Sequence, residues 1–196
     1  MNESRKRRRK NKTRTQILSM VMIGAGLLLV GLVVLFFLPK SSAPAQSESS
    51  GSVVPMRVDF RAPILQLKDL QGRSVSLKDY LGQVILINNW ATWCPPCRAE
   101  MPILNAYYQD HQGQGFTLIG IEAGETASEV SDFVNHNGLA FSIWLDPRNA
   151  ALAAFSNDAL PNSYVVDRAG MVVLSWTGPI NRQMLEKYVT PVIEEQ

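Results

Sequence analysis

The two cysteines of this chain are separated by two residues, in Trp93-Cys94-Pro95-Pro96-Cys97, and no other feature restricts the fold as strongly. Ahead of them runs Val84-Ile85-Leu86-Ile87-Asn88-Asn89-Trp90, a continuous apolar stretch of the kind that fills the centre of a sheet. Behind them a helical pattern starts near Pro95 and continues through Arg98-Ala99-Glu100-Met101 to about Gln109. Cys94 is therefore expected at a helix N-terminus. Free backbone N–H groups and the positive end of the helix dipole favour a thiolate there, and the thiolate is the nucleophile. Cys97, one turn further in, is placed to resolve a mixed disulfide formed by Cys94. A purely structural disulfide gains little from so short a loop. A zinc site needs four ligands, and His111 and His136 lack the spacing. The pair reads as redox-active.

Charge is unevenly distributed. Eight basic residues crowd the first 14 positions and with Glu3 bring that segment near +7, which leaves the rest near −5 against a chain total of +2. A basic run of this kind suits nucleic acid, but the adjoining segment points to a membrane. Ile17 to Leu38 is a 22-residue stretch without a charge, long enough to cross a bilayer as a helix. Basic residues precede it and only Lys40 follows closely, so the N-terminus is expected in the cytoplasm and the remainder outside. Ala43-Pro44-Ala45 offers a cleavage-site rival. Pro44 and the length of the apolar stretch favour an uncleaved signal-anchor. No cysteine stands at its end to carry a lipid. Disulfides persist in an extracytoplasmic space.

The expected organisation is a basic cytoplasmic segment over 1–16, a transmembrane helix over 17–38, a Ser/Ala/Pro-rich flexible linker over 39–55 and one folded domain over 56–196. Within the domain, Ile64–Leu67 and Ser74–Leu77 flank Asp69-Leu70-Gln71-Gly72 as a hairpin, and Asp79–Gly82 forms a turn. Pro102 is expected to kink the first helix. Phe116–Glu122 is a second strand, and Thr126 or Ser128 caps a helix that Gly138 ends. A strand over Phe141–Leu145, a short helix over Ala150–Phe155, a hairpin around Asp167–Gly170 and one helix over Asn181–Ile193 complete the α/β pattern. Together these elements make a mixed central sheet flanked by helices.

The cysteine motif after an apolar strand, Leu160-Pro161 downstream and the final hairpin and helix resemble the thioredoxin fold. Phe60-Arg61-Ala62-Pro63, the Gly72 hairpin (an N-terminal extension of that fold), Asn89 to Pro102 around the cysteines and the membrane anchor resemble the TlpA/ResA-like thiol-disulfide oxidoreductases. The resemblance covers about Asp59 to Glu194. It implies that Cys94 is the exposed nucleophile and Cys97 the buried resolving thiol. It implies that Pro161 is a cis proline facing the disulfide, with Leu160 offering its backbone to substrate. Trp93 and Pro95 complete the substrate-contact set. Glu125 matches an acid that such proteins place near the cysteines and is the first candidate for assisting deprotonation of Cys97, with Glu100 second. Thioredoxin has a buried acid where this chain has Asn88, and an amide cannot relay a proton as a carboxylate does.

Pro95 and Pro96 carry no N–H. Fewer donors to the Cys94 sulfur stabilise the thiolate less and argue for a reductant rather than an oxidant. The expected activity is reduction of disulfides in exported proteins. The resemblance suggests apocytochrome c cysteines as substrate and a membrane thiol carrier as electron donor. The reading calls for no cofactor, metal or nucleic acid. Two alternatives stand beside it. A thiol peroxidase shares the Ala62-Pro63 entry but has its cysteine in a Pro-x-x-x-Thr-x-x-Cys context. A thioredoxin-like copper-binding assembly factor has wider cysteine spacing and a histidine on a later loop. Trp90, Trp144 and Trp176 are expected in the core.

Overall fold

The computed structural model describes residues 52–195. The expected basic segment 1–16, the membrane helix 17–38 and the linker up to 51 lie outside the described residues. Among the described residues no helix is long and apolar enough to cross a membrane.

The chain order is β1 (Met56–Arg61), β2 (Gln66–Asp69), β3 (Ser74–Ser76), β4 (Val84–Trp90), α1 (Pro95–His111), β5 (Phe116–Ala123), α2 (Ala127–Asn137), β6 (Ser142–Asp146), α3 (Ala150–Ala154), β7 (Asn162–Val166), β8 (Met171–Thr177), α4 (Arg182–Tyr188) and α5 (Thr190–Glu194). The strands form one eight-stranded sheet ordered β1-β8-β7-β4-β5-β6-β2-β3. β4, β5 and β6 run parallel, while β7 pairs antiparallel with β4. The hairpin β2–β3 extends the sheet beyond β6, and β1 forms the opposite edge.

All seven residues of β4 are buried, because both faces of the sheet are covered. Val84 and Leu86 enter one apolar cluster with Met101, Leu104 and Tyr107 of α1, and Ile85 and Ile87 enter the other with Ile119, Ile121 and Trp144. This is the two-residue period of a strand. The parallel β4 and β5 both end, at Trp90 and Ala123, on the side of the sheet where the cysteine turn begins.

Four local expectations are refined. β1 is an additional strand, whose Met-Arg-Val-Asp-Phe-Arg alternates apolar and charged residues; as an edge strand it buries little. The Asp79 turn is a short 3-10 helix, Leu77–Tyr80, held by a capping box between Ser76 and Asp79. α1 continues unbroken through Pro102. Pro102 and Arg98, whose carbonyl loses the helical bond, lie on the exposed face where water can replace it. The single helix expected over Asn181–Ile193 is two, α4 and α5, because Pro191 lacks the N–H and crowds the carbonyl four residues back.

Candidate active site

Cys94 is the N-cap of α1, with extended backbone (φ −88°, ψ 106°), and Pro95 and Pro96 occupy the first two helical positions. An N-cap side chain normally accepts from the second or third helical N–H. Pro96 removes the second, so Cys97 N–H alone donates to Cys94 Sγ, at 3.3 Å. The cysteines are joined by a disulfide with Cα atoms 5.3 Å apart, so the site is in its oxidised state. Cys97 is fully buried and Cys94 is 4% exposed, less open than a nucleophile expected at the surface. The exposed group is Trp93, at 65%. Pro95 is exposed. Trp90, Trp144 and Trp176 lie in the core.

Leu160-Pro161 is a cis peptide bond. Pro161 is buried and its carbonyl accepts from Gly178 N–H at 2.8 Å. Trp93 and Leu160 line one cleft of about 690 Å³ together with Arg148, Leu152 and Asp158. Asn89 and Asn162 hold the loop before the cis bond. Asn89 Nδ2 donates to Asn162 Oδ1 at 2.7 Å, and Asn162 Nδ2 donates to the Ala159 carbonyl at 2.6 Å.

The two candidate acids are placed differently. Glu125 accepts from Thr92 N–H at 2.6 Å and also from the Thr92 hydroxyl. It ties the residue before Trp93 to the end of β5. Glu122, fully buried, accepts the Glu125 N–H on both carboxyl oxygens at 3.2 Å. Burial raises the Glu122 carboxyl to about 8, and the Glu125 carboxyl and Asp146 push in the same direction. Glu100 is 1% exposed, on the α1 face that also buries Cys97 and Met101. Asn88 Nδ2 donates to its Oε1 at 2.8 Å and Ile180 N–H to its Oε2 at 3.0 Å. Burial raises this carboxyl to about 7, against the lowering effect of those two donors.

The partners of Glu100 had no sequence signal, since Ile180 is 80 residues away. The position of Glu100 did have one. It stands three residues after Cys97 in the apolar register of an amphipathic helix, where an acid is out of place. His111 packs against Tyr107, with ring centroids 4.4 Å apart and the planes tilted by 44°, and His136 is exposed. Among the described residues no group of three or more His, Cys, Asp and Glu side chains is placed to hold a metal ion.

Residues 58–175 match the sequence profile of the AhpC/TSA family. The thiol-disulfide oxidoreductase ResA of Bacillus thuringiensis (strain Al Hakam) is 34% identical over 137 residues, 70% of this chain and 79% of the relative. The chain belongs to the ResA-like thiol-disulfide oxidoreductases. Two solved structures share its fold. A Chlorobium tepidum chain assigned as thiol:disulfide interchange protein DsbE superposes with a TM-score of 0.64 at 25% identity, covering 69% of this chain and 96% of that one. A secreted thiol-disulfide isomerase of Corynebacterium glutamicum shares the fold, with a TM-score of 0.67 at 22% identity, covering 75% and 96%. As a ResA-like protein, this chain has a thioredoxin-like α/β fold and is a thiol-disulfide oxidoreductase.

Proposed function

We propose that this protein reduces disulfides in exported proteins, with Cys94 as nucleophile and Cys97 as resolving thiol. The observation that carries this reading is the Cys94–Cys97 pair at the N-cap of α1, with a buried carboxyl, Glu100, on the same helix face. In the reduced protein the Cys94 thiolate attacks one sulfur of the substrate disulfide. The substrate S–S bond breaks, its far sulfur leaves as a thiolate and takes a proton, and a Cys94–substrate bond forms. Glu100 accepts the Cys97 proton. The Cys97 thiolate then attacks Cys94 Sγ and releases the second substrate thiol, and the enzyme is left as the disulfide. Two electrons pass to substrate, and a dithiol donor must restore the pair. A membrane thiol carrier is the donor this scheme calls for.

In this reading Glu100 is the first candidate acid and Glu125 has a positioning role. Glu100 combines burial with a carboxyl held near neutrality, which suits proton exchange with a thiol. Glu125 is engaged with Thr92 and acts as a positioning residue for the Trp93 loop. Trp93, Pro95, Leu160 and Pro161 form the substrate-contact strip.

The chain is membrane-anchored in this reading. The uncharged stretch Ile17–Leu38 spans the bilayer, residues 1–16 face the cytoplasm, and the linker through 55 lets the 56–196 domain work outside. The haem-binding cysteines of apocytochrome c are the substrate to test first. A peroxidase reading finds no support at the cysteine, since Ile87 and Ala91 stand where the Pro-x-x-x-Thr-x-x-Cys motif has Pro and Thr.

The test is the reduction potential of the Cys94/Cys97 pair in the full chain in detergent. A value at or below about −250 mV supports a reductant, and a value near −120 mV overturns it.

A further inference from the structure

Charge is segregated within the domain. Residues 52–80 carry five basic and three acidic side chains, net +2. Residues 81–195 carry five basic and twelve acidic ones, net −7. Exposed apolar bulk gathers in or beside the basic stretch. Val54, Met56, Phe60, Ile64 and Leu81 are the large apolar side chains left exposed among the described residues, apart from Trp93 at the redox site. Scattered singly, such residues call for no explanation; gathered among basic residues, they mark a surface that meets something.

Two of them define one face. β1 and β2 lie toward opposite edges of the sheet, so the segment 62–65 crosses from one to the other, and Leu65 packs there with Leu77, Ile85 and Val166. A cavity of about 250 Å³ remains between this crossing, the 3-10 helix and the turn from β7 to β8. Ile64, 79% exposed, and Leu81, 65% exposed, line it together with the exposed Arg61 and Lys78. Neither cation forms an ion pair among the described residues. Asp167, the acid at this cavity, is already engaged, since its Oδ1 accepts from Ala169 N–H at 3.0 Å and from Met171 N–H at 2.8 Å.

We propose that this face docks on the phospholipid bilayer, with Ile64 and Leu81 seated among the headgroups and Arg61 and Lys78 on lipid phosphates. The proposal rests on the reading of Ile17–Leu38 as a membrane span. Thirteen residues, 39–51, separate that stretch from the described domain, and a fully extended chain covers at most about 3.6 Å per residue, so the domain is held within about 50 Å of the bilayer. Contact with a surface so close is in effect intramolecular, and a weak patch suffices for it. Apolar side chains flanked by Lys and Arg suit an anionic interface, which repels the acidic remainder of the domain. A second copy docked through the same face would bring two basic surfaces together. The cavity touches Ile85 near the start of β4, and the cysteine turn follows the end of that strand. The seven residues of β4 span about 20 Å. Docking therefore turns Cys94 and Trp93 away from the lipid, toward exported proteins.

The test is photo-cross-linking of the full chain, one copy per phosphatidylglycerol nanodisc, with a phospholipid carrying a diazirine near its headgroup. Adducts on the peptides that hold Ile64 and Leu81 are expected to exceed those on Trp93, which is as exposed as Leu81, by about fivefold or more. Arg61→Gln combined with Lys78→Gln is expected to lower them by about fivefold or more, the factor that a single cation contributes near a charged lipid surface. Ile64→Ser combined with Leu81→Ser is expected to lower them without a change in charge. All four positions are exposed, and both double variants should reduce a soluble disulfide as the wild type does. Adducts spread evenly over the domain, centred on Trp93, or left unaltered by one of the double variants overturn the proposal. A pattern that arises only with two chains per disc assigns the face to a second copy and overturns it too. An alkaline carbonate wash of vesicles holding the full chain reads the span separately. Release by the wash overturns the anchored reading and this proposal with it, whereas retention with an even adduct pattern overturns the docking alone.

Discussion

Thr92 N–H donates to Glu125 Oε2 at 2.6 Å, which ties the loop carrying Trp93 to the turn after β5. The Thr92 hydroxyl donates to the other carboxyl oxygen. Removing the carboxylate leaves a half-buried N–H and hydroxyl without their charged acceptor. Glu125→Ala is expected to destabilise the domain by about 2 kcal/mol, the usual size for hydrogen bonds to an ionised group. Amide exchange at Thr92 and Trp93 should accelerate, while the core of β4 keeps its protection. Unaltered exchange in that loop would show that Glu125 does not hold it.

Glu100 makes stability depend on pH in a defined direction. Its carboxyl is raised from 4.5 to about 7 in the folded protein, so between those values the native state binds the extra proton. The contribution is complete below the unfolded value and is lost as pH rises through the folded one. It amounts to about 3 kcal/mol. Glu122, raised to about 8, acts in the same direction. Urea unfolding of the oxidised protein at pH 5 and pH 8 should show a loss in the wild type larger by about 3 kcal/mol than in Glu100→Gln. Equal losses would mean that the buried carboxyl does not titrate in this range.

The central layer of the fold was readable because its causes are local. Val84–Ile87 is apolar without interruption and leads into Asn88, Asn89 and Trp90, the pattern of a strand covered on both faces. Thr126 caps α2 through a capping box with Glu129, and Gly138 ends it in the left-handed region at φ 60°. The edge strand β1 carries the two-residue alternation of a strand in Met-Arg-Val-Asp-Phe-Arg, but its pairing with β8, more than a hundred residues on, is not local information. The site divides in the same way. The cysteine motif lies in five consecutive residues. The environment of Glu100 is assembled from Asn88 on β4, Ser163 on β7 and Ile180 after β8, and no local pattern brings these together. Glu125 stood first among the acids through the resemblance alone, and its contacts with Thr92 had no sequence signal.

The burial difference within the pair predicts which cysteine can be trapped on a substrate. Cys97 is at 0% exposure and Cys94 at 4%, at the helix N-cap beside exposed Trp93. Cys97→Ser removes the resolving thiol, so a mixed disulfide on Cys94 should accumulate when the variant meets an oxidised protein substrate. Cys94→Ser should accumulate none. Mass spectrometry of the adducts checks the assignment, and trapping on Cys97 instead would reverse the two roles.

The prolines between the cysteines lead to the last prediction, because they are not equivalent. Pro95 stands at the first helical position, whose N–H is directed away from the cap, and its fixed φ suits the helix start. Pro96 stands at the second, whose N–H would point at the Cys94 sulfur. With Pro96 in place, Cys97 N–H is the sole backbone donor to Cys94 Sγ among the described residues, at 3.3 Å. Pro96→Ala restores a second donor without adding bulk. A hydrogen bond to a charged group contributes about 1.5–3 kcal/mol, which for a two-electron couple corresponds to roughly 30–60 mV. The added donor stabilises the Cys94 thiolate and hence the reduced form, so the potential should rise by that amount and the Cys94 pKa should fall. Pro95→Ala, whose new N–H does not face the sulfur, should shift the potential by less. Equilibration of each variant against glutathione gives the potential, and thiolate absorbance against pH gives the pKa. A larger rise in Pro95→Ala than in Pro96→Ala would show that the cap geometry does not control the redox poise of this pair.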